Sequence, residues 1–88
     1  MELKNLMEIE VMRIIDKILE DQKDVCACDK CKMDIAAITL NNIKPKYVVT
    51  EKGQLYAKVD MLNYQYDADI TTEVIKAIKI VGEKPRHE

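Results

Sequence analysis

With 88 residues the chain has room for a single domain, residues 1–88, with a small core, and not for the deep cleft that most enzymes assemble. The 16 acidic and 14 basic residues nearly balance, which gives no general attraction for extended nucleic acid. No run approaches the roughly 20 apolar residues that span a bilayer, and the N-terminus lacks the features of a signal peptide. We therefore expect a cytoplasmic, non-catalytic protein that contacts no membrane.

The first predicted element is a helix over residues 2–22, whose apolar side chains recur at helical spacing. One face of it carries Leu3, Met7, Val11, Ile14, Ile15 and Ile18. The apolar surface is wider than one stripe, because Met12 and Leu19 extend it on one side and Leu6 and Ile9 lie further round. We expect a second copy of the chain to cover the excess in a two-fold dimer. The alternative is that these residues are scattered surface hydrophobes.

The chain's three cysteines follow within six residues, as Cys26, Cys28 and Cys31. An odd number of thiols cannot all pair, and a ring as short as Cys26 to Cys28 strains a disulfide. Thiolates at this spacing in a turn can reach one tetrahedral zinc ion, so we predict a zinc site. The candidates for the fourth ligand are His87, which is the only histidine, a water, a partner subunit, or one of Asp24, Asp29 and Asp34. The alternative is three unliganded thiols, kept reduced in the cytosol.

The chain contains only two glycines and two prolines, the residues that most often interrupt helices, which favours a few fairly long helices. A second helix is predicted over residues 34–40, with Ile35, Ile38 and Leu40 inward and a left-handed asparagine, Asn41 or Asn42, at its end. If Cys31 lies at the start of this helix, the helix dipole would stabilise its thiolate, which would help metal binding and would equally make a bare thiol reactive. Residues 44–49 are expected to be extended.

The segment of residues 50–66 fits both a helix and a strand, and we predict a helix capped by Thr50. In the alternative, residues 47–50 would pair with residues 55–59 in a hairpin, but an isolated hairpin is marginally stable. A last helix is predicted over residues 69–82, capped by Asp69, with Ile70, Val74, Ala77, Ile78 and Val81 on one face. The tail follows, and Lys84 cannot be helical because it precedes a proline. The fold class is thus mainly α, a small four-helix domain with a zinc-stapled turn after the first helix.

Taken together, three stretches of the sequence resemble the late competence development protein ComFB family. They read Cys26-Ala-Cys28-Asp-Lys-Cys31-Lys-Met-Asp34-Ile-Ala-Ala-Ile-Thr-Leu40-Asn41, then Pro45-Lys-Tyr47-Val48, then Pro85-Arg86-His87. Asn5 and Glu8, before the cysteines, also have the spacing that the family shows, so the resemblance covers nearly the whole chain. It implies a small, mainly helical, dimeric zinc-binding protein linked to competence. Some relatives add a cysteine near the C-terminus, which this chain lacks, so the fourth ligand position falls to His87 or stays open.

The resemblance also implies a function, since some cyanobacterial members of the family are receptors for cyclic dinucleotides linked to competence and motility. Such a ligand, cyclic di-GMP or cyclic di-AMP, needs cations for its phosphates and flat groups for its bases. The candidate residues are Arg86, Lys46, Tyr47 and Arg13, although each could be an ordinary surface or core residue. The alternative function is a zinc-stabilised adaptor that binds a protein partner. Thiol pairs can also exchange disulfides, but no general base accompanies these cysteines.

Overall fold

The computed structural model describes residues 1–22, 24–62 and 66–83. Two short strands and four helices follow one another in this part of the chain: β1 (Lys4–Asn5), α1 (Leu6–Glu20), α2 (Asp29–Leu40), β2 (Tyr47–Val48), α3 (Glu51–Leu62) and α4 (Tyr66–Glu83). The strands pair antiparallel, Lys4 with Val48 and Asn5 with Tyr47. The prediction of a mainly helical domain with four helices is confirmed. Within the described residues, no helix is long and apolar enough to cross a membrane.

The core forms where α1, α2 and α4 pack against one another. The predicted stripe of α4 is confirmed, because Ile70, Val74, Ala77 and Val81 are buried and Ile78 packs at the edge. The facing side chains of the other two helices are Met7, Val11, Ile14, Ile15, Leu19, Cys31, Ile35 and Ala36. A smaller cluster of Leu6, Val48 and Ala57 attaches α3 to the strands. Burial of apolar side chains on three helices therefore holds the domain together.

The first helix begins at Leu6 and not at residue 2, so the predicted inward position of Leu3 is wrong and its side chain is exposed. The reason is Asn5, which is extended and caps α1, with its Oδ1 accepting a hydrogen bond from the Met7 N–H at 3.1 Å. The same oxygen accepts from the Lys46 N–H at 2.9 Å. One side chain thus starts α1 and fixes the segment before β2.

The second helix begins at Asp29, five residues before the predicted start, because Cys28 serves as its N-cap. The prediction of a left-handed asparagine at its end is wrong. Asn41 is right-handed, with φ −77°, and the Asn42 side chain donates instead to the Ile38 carbonyl at 2.7 Å. A side-chain hydrogen bond therefore satisfies a carbonyl at the end of α2, without a left-handed residue.

The ambiguous segment is the helix α3, as predicted, and Thr50 caps it by accepting from the Gly53 N–H at 3.0 Å. The hairpin alternative is wrong because residues 47–48 pair with β1. The last helix starts at Tyr66, so Asp69 lies in its first turn and is not its cap. It continues past Gly82 to Glu83. The prediction for Lys84 concerns a residue outside the described ones.

Most of the wide apolar surface of α1 is covered within the chain itself. Leu6 and Leu19 are buried and Met12 is half-buried, which leaves Ile9 exposed. Exposed large apolar side chains cluster instead on α3, where Leu55, Val59 and Leu62 follow at helical spacing beside Tyr56. Any apolar surface left for a second copy is therefore on α3 more than on α1.

We predict that Asn5→Ala lowers the free energy of unfolding by about 2 kcal/mol, because it removes an N-cap and a bond to the Lys46 backbone at once. Urea denaturation measures the change. Asn42→Ala is the matched control, since its side-chain bond is local and exposed, and it should cost less than about 0.5 kcal/mol. Equal losses for the two variants would contradict the role given to Asn5.

Candidate functional site

The three cysteine side chains converge in the turn between α1 and α2. Their sulfur atoms all lie within 4.8 Å of one another, and none is in a disulfide. Sulfurs on one tetrahedral zinc ion, at about 2.3 Å from the metal, would be about 3.8 Å apart. Small side-chain rotations would close the difference, so the cluster can hold a metal ion.

The start of α2 fixes two of these side chains. Cys28 is the N-cap, with φ −70° and ψ 161°, and its Sγ accepts a hydrogen bond from the Cys31 N–H at 3.4 Å. Its carbonyl accepts from the Lys32 N–H at 3.0 Å, as the first bond of the helix. Cys31 points into the core and is 1% exposed, whereas Cys26 and Cys28 are exposed. The cluster therefore has a buried side and an open side.

Burial governs the acidity of Cys31. Desolvation of the sulfur, reinforced by the neighbouring Cys26 and Cys28, raises the pKa of Cys31 to about 12. The predicted stabilisation of its thiolate by the helix dipole is outweighed by burial, so a bare Cys31 stays protonated at neutral pH and reacts slowly with external reagents. A metal ion reverses this balance because it binds the thiolate and displaces the proton.

The carboxylates that the sequence suggested as a fourth ligand lie apart from the thiol cluster. Within the described residues the cluster consists of the three cysteines, and Asp24, Asp29 and Asp34 do not belong to it. Asp34 accepts a hydrogen bond from Lys30 at 2.7 Å instead. His87 lies outside the described residues. In the described chain, three sulfur atoms are thus positioned to bind a metal ion together.

A cavity of about 620 Å³ lies beside Pro45, at the other end of α2. We call it the Pro45 cavity. The α2–β2 loop, the first turns of α4 and one residue of α1 line it: Met7, Asn42, Ile43, Lys44, Pro45, Lys46, Tyr66, Asp69, Ile70, Thr72 and Glu73. Its wall therefore combines two lysines, a tyrosine ring and two carboxylates.

Of the residues suggested for ligand binding, Lys46 lines this cavity. Its ammonium bonds to Asp60 at 2.9 Å and lies 6.0 Å from the centre of the Tyr66 ring. The hydrogen bond to Asp60 raises the pKa of Lys46, so the side chain keeps its positive charge. Asn5 holds the Lys46 backbone, as described above. A fixed backbone and a charged, half-buried side chain make Lys46 a defined part of the wall.

The other suggested residues are placed differently. Tyr47 follows Lys46 in β2, but its ring is 61% exposed and does not line the Pro45 cavity. Arg13 is ion-paired with Glu10 at 2.9 Å and Asp67 at 3.2 Å, beside a separate depression. Arg86 lies outside the described residues. Within the described chain, the structure therefore brings Lys46 to the cavity and leaves Arg13 and Tyr47 elsewhere.

Sequence reasoning does not single out Tyr66. The ring is half-buried at the start of α4, on the wall of the cavity, while Tyr47 and Tyr56 are exposed. Only the packing of α4 beside the Pro45 loop brings Tyr66 next to Lys46. The one available signal was the position of Tyr66 just before a predicted helix.

Fold and site together define a small helical protein with a three-cysteine cluster at the start of its second helix. The sequence model of the late competence development protein ComFB family matches residues 4–85, and the chain belongs to this family. It is 26% identical over 83 residues to the competence protein ComFB of Bacillus subtilis strain 168, covering 94% of this chain and 85% of that one. A structure of the late competence protein ComFB from Bacillus subtilis superposes with a TM-score of 0.85, covering 98% of this chain and 94% of that one. The resemblance seen in the sequence is confirmed.

We predict that iodoacetamide modifies Cys26 and Cys28 of the metal-free protein well before Cys31, because Cys31 is buried and protonated. The Cys31 rate should keep rising with pH beyond neutrality, since its thiolate forms only as the pH approaches about 12. Mass spectrometry of tryptic peptides reads this directly, because cleavage after Lys30 separates Cys31 from the other two. Equal alkylation rates at pH 8 for all three cysteines would contradict the buried, protonated state of Cys31. A urea-unfolded sample, in which all three thiols are exposed, shows what equal rates look like.

Proposed function

We propose that this chain is a small, dimeric, zinc-binding regulatory protein of the cytoplasm that binds a cyclic dinucleotide in the Pro45 cavity and catalyses no reaction. The ligand is cyclic di-GMP or cyclic di-AMP. The observation that carries the proposal is a cavity of about 620 Å³ with lysines and a tyrosine on its wall. Membership of a competence protein family supports a link to competence.

Three thiols within 4.8 Å support zinc as the metal. Sulfur-rich tetrahedral sites of this kind are typical of structural zinc, and the reducing cytoplasm keeps the ligands available. We propose His87 as the fourth ligand, which would draw the C-terminal tail toward the cysteines. The zinc would then staple the turn between α1 and α2 and would take no part in a reaction.

The Pro45 cavity suits a nucleotide in size and chemistry. Its volume lies within the range of about 300 to 1,000 Å³ that is usual for small-molecule sites. Lys44 and Lys46 supply cations for the two phosphates, and the Tyr66 ring offers a flat face for a base. Asp69 and Glu73 can accept hydrogen bonds from base N–H groups.

A phosphate can bind Lys46 at a small cost in free energy, because the ion pair that it would replace is weak. The ion pair between Lys46 and Asp60 is solvent-exposed on the Asp60 side, and such pairs contribute only about 0–1 kcal/mol. Lys44 is exposed and forms no ion pair with the described residues. We propose that the ligand competes with Asp60 for Lys46 and recruits Lys44.

The remaining suggested residues have secondary roles in this proposal. Arg86 is adjacent to His87 in the sequence, so binding of His87 to the zinc would keep Arg86 at the cysteine end of α2, away from the Pro45 cavity of the same chain. Tyr47 would present its exposed ring at the edge of the site, next to Lys46. Arg13 would have to leave Glu10 and Asp67 to reach a phosphate, so we rank it last of the four.

We predict that calorimetry with the zinc-loaded protein detects binding of a cyclic dinucleotide. Lys44→Ala and Lys46→Ala should each weaken it about tenfold or more, because each removes a charge-assisted hydrogen bond worth about 1.5–3 kcal/mol. Tyr66→Ala should weaken it by a similar factor through lost stacking.

The matched control is Lys79→Ala, which removes the same charge from an exposed position of α4 outside the cavity wall. It should bind as the unmodified protein does. The proposal fails if neither cyclic di-GMP nor cyclic di-AMP produces heat. It also fails if Lys44→Ala and Lys46→Ala bind as tightly as the control.

The exposed side chains of α3 support the dimer. We define the α3 face as Leu55, Tyr56, Val59 and Leu62. Within the described chain α3 buries Ala57 and packs Met61 against the edge of the core, whereas the side chains of the α3 face stay exposed. A two-fold axis through this face would bury the same residues on both copies, which is how symmetric dimers cover apolar surface.

We predict that Val59→Glu raises the dimer dissociation constant about a hundredfold, because it buries an unpaired carboxylate in the interface. Sedimentation equilibrium measures the change. Ile80→Glu is the matched control, since Ile80 on α4 is 54% exposed against 49% for Val59. The Ile80→Glu protein should remain dimeric. A Val59→Glu protein that also stays dimeric would contradict the placement of the dimer interface on the α3 face.

The alternative function is a zinc-stabilised adaptor, and the same α3 face favours it. In that case the apolar side chains left exposed after dimerisation would contact a protein partner of the competence machinery. The two functions differ in solution. An adaptor predicts a dimer that binds no cyclic dinucleotide and recovers another protein in a pull-down, whereas the receptor predicts a dimer that binds the nucleotide.

A further inference from the structure

Cys28 and Cys31, at the start of α2, differ in exposure, which a set of metal ligands does not require. Cys28 is exposed and accepts the Cys31 N–H at 3.4 Å, while Cys31 is buried behind it, and the two sulfurs are no more than 4.8 Å apart. An accessible cysteine at a helix N-terminus with a second, buried cysteine three residues later is the arrangement of a thiol–disulfide exchange pair. We propose that Cys28 and Cys31 form a reversible disulfide with a small-molecule disulfide as oxidant, so that metal binding and disulfide formation are alternative states of this turn.

The geometry favours this pair and argues against a bond between Cys26 and Cys28. A disulfide between Cys26 and Cys28 would close a very short and strained ring. Cys28 and Cys31 sit one helical turn apart, which places their side chains on the same side of α2. Cys28 is open to solvent, so its side chain can rotate to bring the sulfurs to the bonding distance of about 2.0 Å.

Exchange with glutathione disulfide proceeds in two balanced steps. The Cys28 thiolate attacks one sulfur of glutathione disulfide, a protein–glutathione disulfide bond forms, and the first glutathione leaves as a thiolate. Cys31 then loses its proton to solvent and attacks Cys28 Sγ, which releases the second glutathione thiolate. Two protein thiols are oxidised to one disulfide, and one glutathione disulfide is reduced to two glutathione thiols, which take up the two protons.

The consequence concerns the metal. A disulfide removes two of the three sulfur ligands, and Cys26 alone cannot retain a structural zinc ion. Zinc should therefore leave as the disulfide forms, and reduction should restore the site. This step involves the same thiols as the proposed zinc centre, but the disulfide itself requires no metal, so the two proposals can fail separately.

The experiment treats the full chain, first metal-free and then zinc-loaded, with excess glutathione disulfide. Trypsin cleaves after Lys30, so a Cys28–Cys31 disulfide joins the peptide of residues 24–30 to that of residues 31–32. Cys26→Ser should keep this link, which in that variant can only join Cys28 to Cys31, and Cys28→Ser should lose it. Cys31→Ser should stop at the glutathione adduct. In the zinc-loaded arm, a chromogenic chelator should report one zinc released per disulfide formed, and dithiothreitol with zinc should reverse it.

Three results would overturn the proposal. The first is a metal-free wild-type chain that keeps its thiols or carries only glutathione adducts. The second is loss of the link in Cys26→Ser when circular dichroism shows the helices intact. The third is a zinc-loaded chain that forms the disulfide and keeps its zinc. A chain that forms the link but never binds zinc supports the disulfide pair and counts against the zinc centre alone.

Discussion

Cys31 belongs to two structures at once, and the organisation of the domain depends on this overlap. Its side chain is part of the core formed by α1, α2 and α4, and its sulfur is part of the thiol cluster. The turn that carries the thiol cluster is therefore attached to the core directly, through the buried side chain of Cys31. A metal bound there would act on the packing of three helices, because binding free energy at such a site adds to the stability of the fold.

The second helix connects this cluster with the Pro45 cavity. It begins next to Cys28 and ends at Leu40, just before the loop that forms the cavity wall, so its 12 residues separate the two sites by about 18 Å. At the far end, Asn5 fixes the Lys46 backbone while it caps α1. The lysine on the cavity wall is thus held by the same residue that starts the first helix. Rigid placement of this kind lowers the cost of ordering a binding site.

The parts that the sequence predicts well are those set by local pattern. The stripe from Ile70 to Val81, the Thr50 cap and the cysteine spacing each depend on neighbours within a few residues, and all three are present. The parts that it misses depend on distant partners. Asn5 and Lys46 are 41 residues apart, and no periodicity links them. Tyr66 reaches the cavity only through the packing of α4, and the high pKa of Cys31 follows from burial that spacing does not reveal.

The central proposal is that three cysteines of this chain hold one zinc ion, with His87 as the fourth ligand. X-ray absorption spectroscopy at the zinc edge tests it most directly, because it counts sulfur and lighter neighbours separately. The account predicts three sulfurs at about 2.3 Å and one nitrogen at about 2.0 Å, with the nitrogen replaced by another light atom in His87→Ala. A site with fewer than three sulfurs, or one whose imidazole signal persists in His87→Ala, would contradict it.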